Sequence, residues 1–281
     1  MTEVKLGIGY DEFEDGQRIG TEIEKLSSSP ESTVVSSLII GDWGQAYENS
    51  SEEVVDALVK FSASFPALRK LFIGEMSFEE CEISWITQSD LSALFPAFPE
   101  LQSLTVQGGN ELSLSQLHHD KLEELIIISG GLGKGVLGNI ATGRLPNLHK
   151  LELYLGVDNY GFDGSIDDIF PIIQPGKFPK LTYLGLKNSE IQDEIAEALA
   201  DAPVLNQLEI LDLSLGTLSD RGAEALLASD RIKGLKALNL SHHYMSDEMI
   251  ERWRKSGLPV DVSDKQESED GDDWRYPSIT E

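Results

Sequence analysis

Gly133-Lys-Gly-Val-Leu-Gly138 has the spacing G-x-G-x-x-G. Between a strand and a helix, that spacing lets backbone amides approach a pyrophosphate, and an acidic residue about 20 positions on binds the ribose. Leu125 to Ile128 reads as the strand, and Glu152 stands at the right distance. As a Walker A loop the segment fails, because Gly135 follows Lys134 where Ser or Thr is required. Histidines come in two pairs, His118-His119 and His242-His243. Adjacent strand residues point to opposite faces, so neither pair chelates a metal from one strand, and turn capping is the expected role. Cys81 lies among Glu79, Glu80 and Glu82, whose charges disfavour a thiolate nucleophile. Glu79 and Glu80 are then either paired acid–base carboxylates or a solvated acidic turn.

The elements that hold these residues recur. The pattern L-x-x-L-x-L, with Val or Ile substituting, runs through Val35/Leu38/Ile40, Leu68/Leu71/Ile73, Leu101/Leu104/Val106 and Leu122/Leu125/Ile127. It continues through Leu148/Leu151/Leu153, Leu181/Leu184/Leu186, Leu208/Leu211/Leu213 and Leu235/Leu238/Leu240, with a degenerate Gly257/Val260/Val262. Alternate residues of a strand share a face, so the second and third apolar positions point inward and the residues between them outward. One short strand cannot bury its own face, but stacked parallel strands can. The expected fold is α/β: a leucine-rich-repeat solenoid with a curved parallel sheet on its concave side and helices on its convex side. A solenoid has no crevice at a strand-order reversal, so the glycine motif is read as a turn and no cofactor is expected.

Phe65-Pro66, Phe98-Pro99, Leu145-Pro146 and Phe178-Pro179 lead into strands, where proline ends the preceding helix. Glu52 to Ala63 has helical apolar spacing, with Ser50 and Glu53 placed as a capping box. Asp193, Asp220 and Asp247 fall in the first turns of three aligned helices, where the helix dipole favours a carboxylate. Eight residues after each first leucine, where leucine-rich repeats usually carry Asn or Cys, stand Trp43, Met76, Gly109, Gly130, Gly156, Ser189, Gly216 and His243. The glycines suggest positive-φ turns in place of an asparagine ladder.

Residues 1–33 are expected to cap the array, with a strand through Val4, Leu6, Ile8 and Tyr10 and a helix over Ile19 to Leu26. Residues 34–262 form eight to nine units, and 263–281 an acidic tail. Within the tail, Asp264 to Asp273 reads as a solvated linker. Trp274, Tyr276 and Ile279 form an apolar cluster that either folds back or awaits a partner.

Glu79-Glu-Cys-Glu-Ile-Ser-Trp-Ile86, Gly130-Gly-Leu132, Asn188-Ser-Glu-Ile191, Leu213 to Asp220 and His242-His243 resemble, in the same repeat phase, a family of bacterial cytoplasmic leucine-rich-repeat proteins. The units are similar to the ribonuclease-inhibitor-like class. The resemblance covers roughly residues 34–263, and the ending from Trp274 to Glu281 departs from it. It implies the fold and brings no activity or catalytic residues.

Net charge is −27, from 22 basic and 49 acidic residues. Such a surface repels phosphate backbones and anionic lipid, which excludes nucleic-acid and membrane-surface roles and suits a basic protein partner. The single cysteine and the lack of an apolar leader or span suggest a cytoplasmic monomer. The expected function is non-catalytic protein binding through the concave face and the loop rim at the strands' C-terminal ends; the alternative is a small-ligand or enzyme site on that rim. Concave candidates are Phe72, Thr105, Glu124, Ile126, Glu152, Tyr183, Lys187, Asp212 and Asn239. Rim candidates are Trp43, Glu79, Glu80, Tyr154, Tyr160, Asn188, His242 and His243. Trp85 is either core or rim.

Overall fold

The computed structural model describes residues 2–268 and 274–280. Ten parallel strands form one sheet in chain order: β1 (Thr2–Ile8), β2 (Val35–Trp43), β3 (Lys70–Ile73), β4 (Ser103–Gln107), β5 (Glu124–Ile128), β6 (Lys150–Gly156), β7 (Tyr183–Ser189), β8 (Ile210–Asp212), β9 (Ala237–Asn239) and β10 (Val260–Asp261). The helices are α1 (Tyr10–Glu14), α2 (Ile19–Ser27), α3 (Glu52–Lys60), α4 (Leu94–Ala97), α5 (Lys134–Thr142), α6 (Ile166–Ile169), α7 (Gln192–Ala200), α8 (Asp220–Ala228) and α9 (Asp247–Lys255).

Register turns the repeat into ladders. Leu38, Leu71, Leu104, Leu125, Leu151, Leu184, Leu211 and Leu238 lie side by side from β2 to β9, all buried. The third apolar positions form a second inward ladder, Ile40, Ile73, Val106, Ile127, Leu153 and Leu186. The outward row between them reads Lys5, Ile39, Phe72, Thr105, Ile126, Glu152, Gly185, Asp212 and Asn239. It changes from largely apolar to polar at β6.

The four apolar-proline lead-ins make one repeated turn. Leu68, Leu101, Leu148 and Leu181 each donate an amide to the carbonyl of Phe65, Phe98, Leu145 and Phe178, at 3.0–3.2 Å. Proline at the second position of such a turn supplies the required φ, and the residue before it drops into the core. First-turn aspartates of the last helices reach across units. Asp193 accepts the Ser219 and Gly222 amides at 2.8 and 3.1 Å, and Asp220 accepts that of Ser246 at 2.7 Å. Each carboxylate therefore satisfies orphan amides at or just before the next helix N-terminus.

Two local expectations fail. Ser50 and Glu53 make no capping box; Glu53 instead accepts the Gly20 amide, in the first turn of α2, at 3.1 Å. Positive φ generally does not fall on the slot glycines: of those four, only Gly156 has it. It falls one residue earlier, at Gly108, Asn188, Leu215 and His242. Gly109, Gly130 and Gly216 serve close approach instead. A side chain there would collide with Ser129, with the Thr280 carbonyl and with Gln192, respectively.

Candidate functional site

The polar end of the concave row is a closed network. Lys187 Nζ lies 3.2 Å from Glu152 Oε1, 3.5 Å from Asp212 Oδ2 and 3.1 Å from the Tyr154 hydroxyl. Lys150 Nζ meets Glu152 Oε2 at 2.8 Å, the Tyr183 hydroxyl donates to Asp212 Oδ2 at 3.1 Å, and Ser214 donates to Asp212 Oδ1 at 2.6 Å. Gly185 makes this possible: Glu152, Tyr183 and Lys187 close over it, and a Cβ there would press on Glu152 and Tyr183.

Burial alone would raise the Glu152 pKa, but the hydrogen bond and charge of Lys150, with Lys187, hold it below the usual carboxylate range. Burial would likewise lower Lys187, yet Asp212, the Tyr154 hydroxyl and Glu152 hold it above the usual lysine value. Burial, with Asp212 and Glu152 alongside, pushes the Tyr183 phenol up. Glu152 and Lys187 are thus held in their charged forms, and neither is poised for proton transfer near neutral pH. Glu152, Lys187 and Asp212 are buried, so they offer a partner little surface. Tyr183 is bound into the same network and cannot be removed without disturbing it.

Other candidates divide between interior and surface. Trp43 is 2% exposed and donates its indole N–H to the Asn49 carbonyl at 2.8 Å; it is core, because β2 runs on to this position. His243 is also buried, its Nδ1 accepting the Met245 amide at 3.1 Å and its Nε2 facing the Val262 carbonyl at 3.2 Å. That pairing requires a neutral ring protonated at Nε2. Burial holds its pKa below the ordinary 6.5. Its contribution to stability is therefore complete above that value and is lost as pH falls through the lower folded one. Melting temperature should fall between pH 7 and 5.5 in the wild type, and His243→Gln should flatten that part of the profile; parallel profiles would contradict the assignment.

The glycine motif has no phosphate cradle. Gly133 precedes α5, and the Lys134 amide at that N-terminus already donates to Asp163 Oδ1 at 2.7 Å, with Lys134 Nζ also 3.3 Å from the Asp163 carboxylate. A carboxylate stands where a phosphate would sit. Titration calorimetry with nicotinamide dinucleotides should give no saturable heat; saturable binding abolished by Gly135→Val would reverse this reading.

Phe72, Thr105, Glu124 and Ile126 are half-buried along the open first half of the concave face, as is Asn239 near its far end. Tyr160 is half-buried on the rim. The residues of the rim-site alternative do not converge. Glu79 and Glu80 line a cleft of about 500 Å3 at the N-terminal end with Lys5, Tyr10, Asp42 and Tyr47. Asn188 and His242 instead contact the C-terminal segment at the other end. Among the described residues no group of three or more His, Cys, Asp or Glu is placed to hold a metal.

The N-terminal rim is where aromatic surface gathers. Phe78 is 65% exposed, Trp85 and Tyr10 58%, and Tyr47 43%. Tyr47, Phe78 and Trp85 line a shallow depression of about 310 Å3 with Glu79, Glu80, Cys81 and Glu82. Glu80 is held below the usual carboxylate range by the Ser77 amide and hydroxyl, at 2.7 and 2.9 Å. Burial pushes Asp42 up, against its hydrogen bonds from the Gly44 and Ala46 amides. Burial, with Asp42 and Glu82 nearby, raises the Cys81 thiol to about 11, which leaves it protonated and unreactive. Sequence reasoning missed both Tyr10 and Phe78 as rim residues: Tyr10, expected to continue the N-terminal strand, instead opens α1, and Phe78 lies outside the strand pattern.

A leucine-rich-repeat family model matches residues 179–200 and 205–227, covering most of β7, α7, β8 and α8. The chain is similar to a protein from Bacteroides fragilis solved by crystallography, at 38% identity and a TM-score of 0.88, over 94% of this chain and 75% of that one. No curated protein matched. No helix among the described residues is long and apolar enough to cross a membrane. The ladders, the ordered parallel sheet and this relative agree, and the chain belongs to the leucine-rich-repeat family.

Proposed function

We propose that this chain is a non-catalytic protein-interaction module whose partner is basic and docks on the N-terminal rim and the adjoining concave face. Leucine-rich repeats generally bind proteins through the extended concave surface that their curvature creates. The observation that carries the reading is the gathering of Tyr10, Tyr47, Phe78 and Trp85 on one acidic rim. Large exposed aromatics supply anchor area at low entropic cost, and carboxylates beside them favour Lys or Arg. The half-buried stripe of Ile39, Phe72, Thr105 and Ile126 continues this surface into the arc. The net charge of −27 would speed capture of a basic partner and repel acidic ones. In this reading residues 1–33 cap the array, 34–262 carry the units, 263–281 form an acidic tail, and the protein acts as a cytoplasmic monomer.

A random-peptide display selection on the wild-type chain, counter-selected against a Glu79→Lys/Trp85→Ser variant, tests it. Enriched peptides should be basic and bind less well as salt rises. Trp85→Ala should weaken them at least about tenfold, the loss typical of an interface anchor, with an unchanged melting temperature because the ring is exposed. Enrichment of acidic or neutral peptides, or equal binding to the variants, would refute the proposal.

A further inference from the structure

The C-terminal segment runs back along the rim, against the direction of the array. Tyr276 meets Tyr244 and His242 beyond β9: the Tyr244 hydroxyl takes its amide and faces its carbonyl, both at 3.0 Å, and His242 Nε2 lies 3.4 Å from that carbonyl. The Ser278 amide donates to the Leu215 carbonyl at 2.8 Å, beyond β8. At β7 the Asn188 side chain grips one residue from both sides, accepting the Ile279 amide at 2.7 Å and donating to the Ile279 carbonyl. Thr280 then reaches Gly130, past β5, where its carbonyl occupies the space a side chain would need.

The groove is built from the repeat itself. His242, Leu215 and Asn188 stand 27 residues apart in sequence, occupy the same position of successive units, and all have positive φ, at 57°, 67° and 52°. A non-glycine residue held there costs about 1 kcal/mol, and such conformations persist where the surroundings demand them. Each of the three contacts the segment, and nearly all of these contacts go to main-chain atoms of the occupant. One side chain is also read: Arg275 lies 3.6 Å from Asp193 Oδ2, in a cleft of about 460 Å3 that Glu190 and Glu194 also line.

We propose that this rim groove is a binding site for an extended peptide segment of a partner protein, one with a basic residue four positions before the residue whose main chain Asn188 clamps, and that residues 274–280 are its tethered competitor. Main-chain hydrogen bonding gives the groove affinity for any extended segment. The Asp193 cleft and the Asn188 clamp set the spacing from Arg275 to Ile279. Linkage to the solenoid gives the segment an effective concentration on the order of 1 mM, so an untethered peptide competes only when it binds more tightly or the segment is released.

The test uses the full chain carrying Ile279→Pro, which removes the amide that Asn188 accepts, and separately Ser278→Pro, which removes the amide given to Leu215. The probe is a fluorescent peptide with the sequence of residues 274–280. Both variants should bind it saturably in anisotropy, at least about tenfold more tightly than the wild type. Asn188→Ala added to either variant, or glutamate in place of the probe's arginine, should weaken binding at least about tenfold. Equal binding by wild type and both variants, or no binding by any of them up to about 1 mM, would overturn the proposal. A wild-type dimer in sedimentation with the segment exchanged between copies would overturn the tethered arrangement. Tyr10 lines the N-terminal cleft, to which residues 274–280 contribute nothing, so Tyr10→Ala should leave this binding unchanged.

Discussion

Leu184→Asp is expected to abolish cooperative folding or to cost about 4 kcal/mol or more, whereas Thr182→Asp should cost less than about 1 kcal/mol. Leu184 is fully buried in the centre of the longer ladder, between Leu151 and Leu211. A carboxylate there has no donor within the apolar stack and cannot reach water. Thr182 lies two residues earlier, half-buried before β7 begins, and its hydroxyl makes only a 3.4 Å contact to the His149 carbonyl. Urea denaturation of the two variants separates the cases. Equal shifts would mean that the inward phase of the repeat is misassigned.

Lys187→Met is expected to destabilise by about 3–5 kcal/mol at pH 7, the cost of removing one partner from a buried ionic network. Glu152 would keep Lys150, but Asp212 would lose the cation beside it and keep Tyr183 and Ser214 as side-chain donors. Methionine preserves the apolar stem, so the loss reports the charge. The Glu152 pKa is depressed by folding, so its contribution is complete above the ordinary value of 4.5 and is lost as pH falls through the folded one. The Lys187 pKa is raised, so its contribution is complete below the ordinary 10.5 and is lost as pH rises through the folded value. The gap between wild type and Lys187→Met should therefore be widest near neutrality and should shrink in acid. Asp212→Asn added to Lys187→Met should recover part of the loss. A gap that does not change with pH would assign the effect to packing.

The strands and their phase are legible in the sequence because each unit writes its inward pair locally, as in Leu151/Leu153 and Leu184/Leu186. The fate of the outward residues is not, because it is decided by neighbours one unit away. Nothing near Glu152 announces that Gly185, on the next strand, leaves room for Lys187 and Tyr183 to close over it. Nor does the sequence place positive φ at Asn188, Leu215 and His242, since none of the three residue types marks it as glycine would. Trp43 looked like a rim aromatic because of its slot in the unit, yet β2 extends to it and buries the ring. Phe78 and Trp85 lie in the long connection after β3, where no periodicity distinguishes core from surface. The fold-back of residues 274–280, one of two readings that the sequence leaves open, goes undecided there for a different reason: its main-chain contacts leave almost no mark on side-chain identity.

A partner is expected to meet the rim and the concave side and to leave the convex helices free. Hydrogen–deuterium exchange of the full chain, with and without the most enriched basic peptide from the display selection, tests this directly. Exchange should slow in Tyr10–Glu14, around Tyr47, and from Ser77 to Trp85, with α3, α5, α7 and α8 unchanged. Protection confined to those helices, with the aromatic rim unaffected, would contradict it.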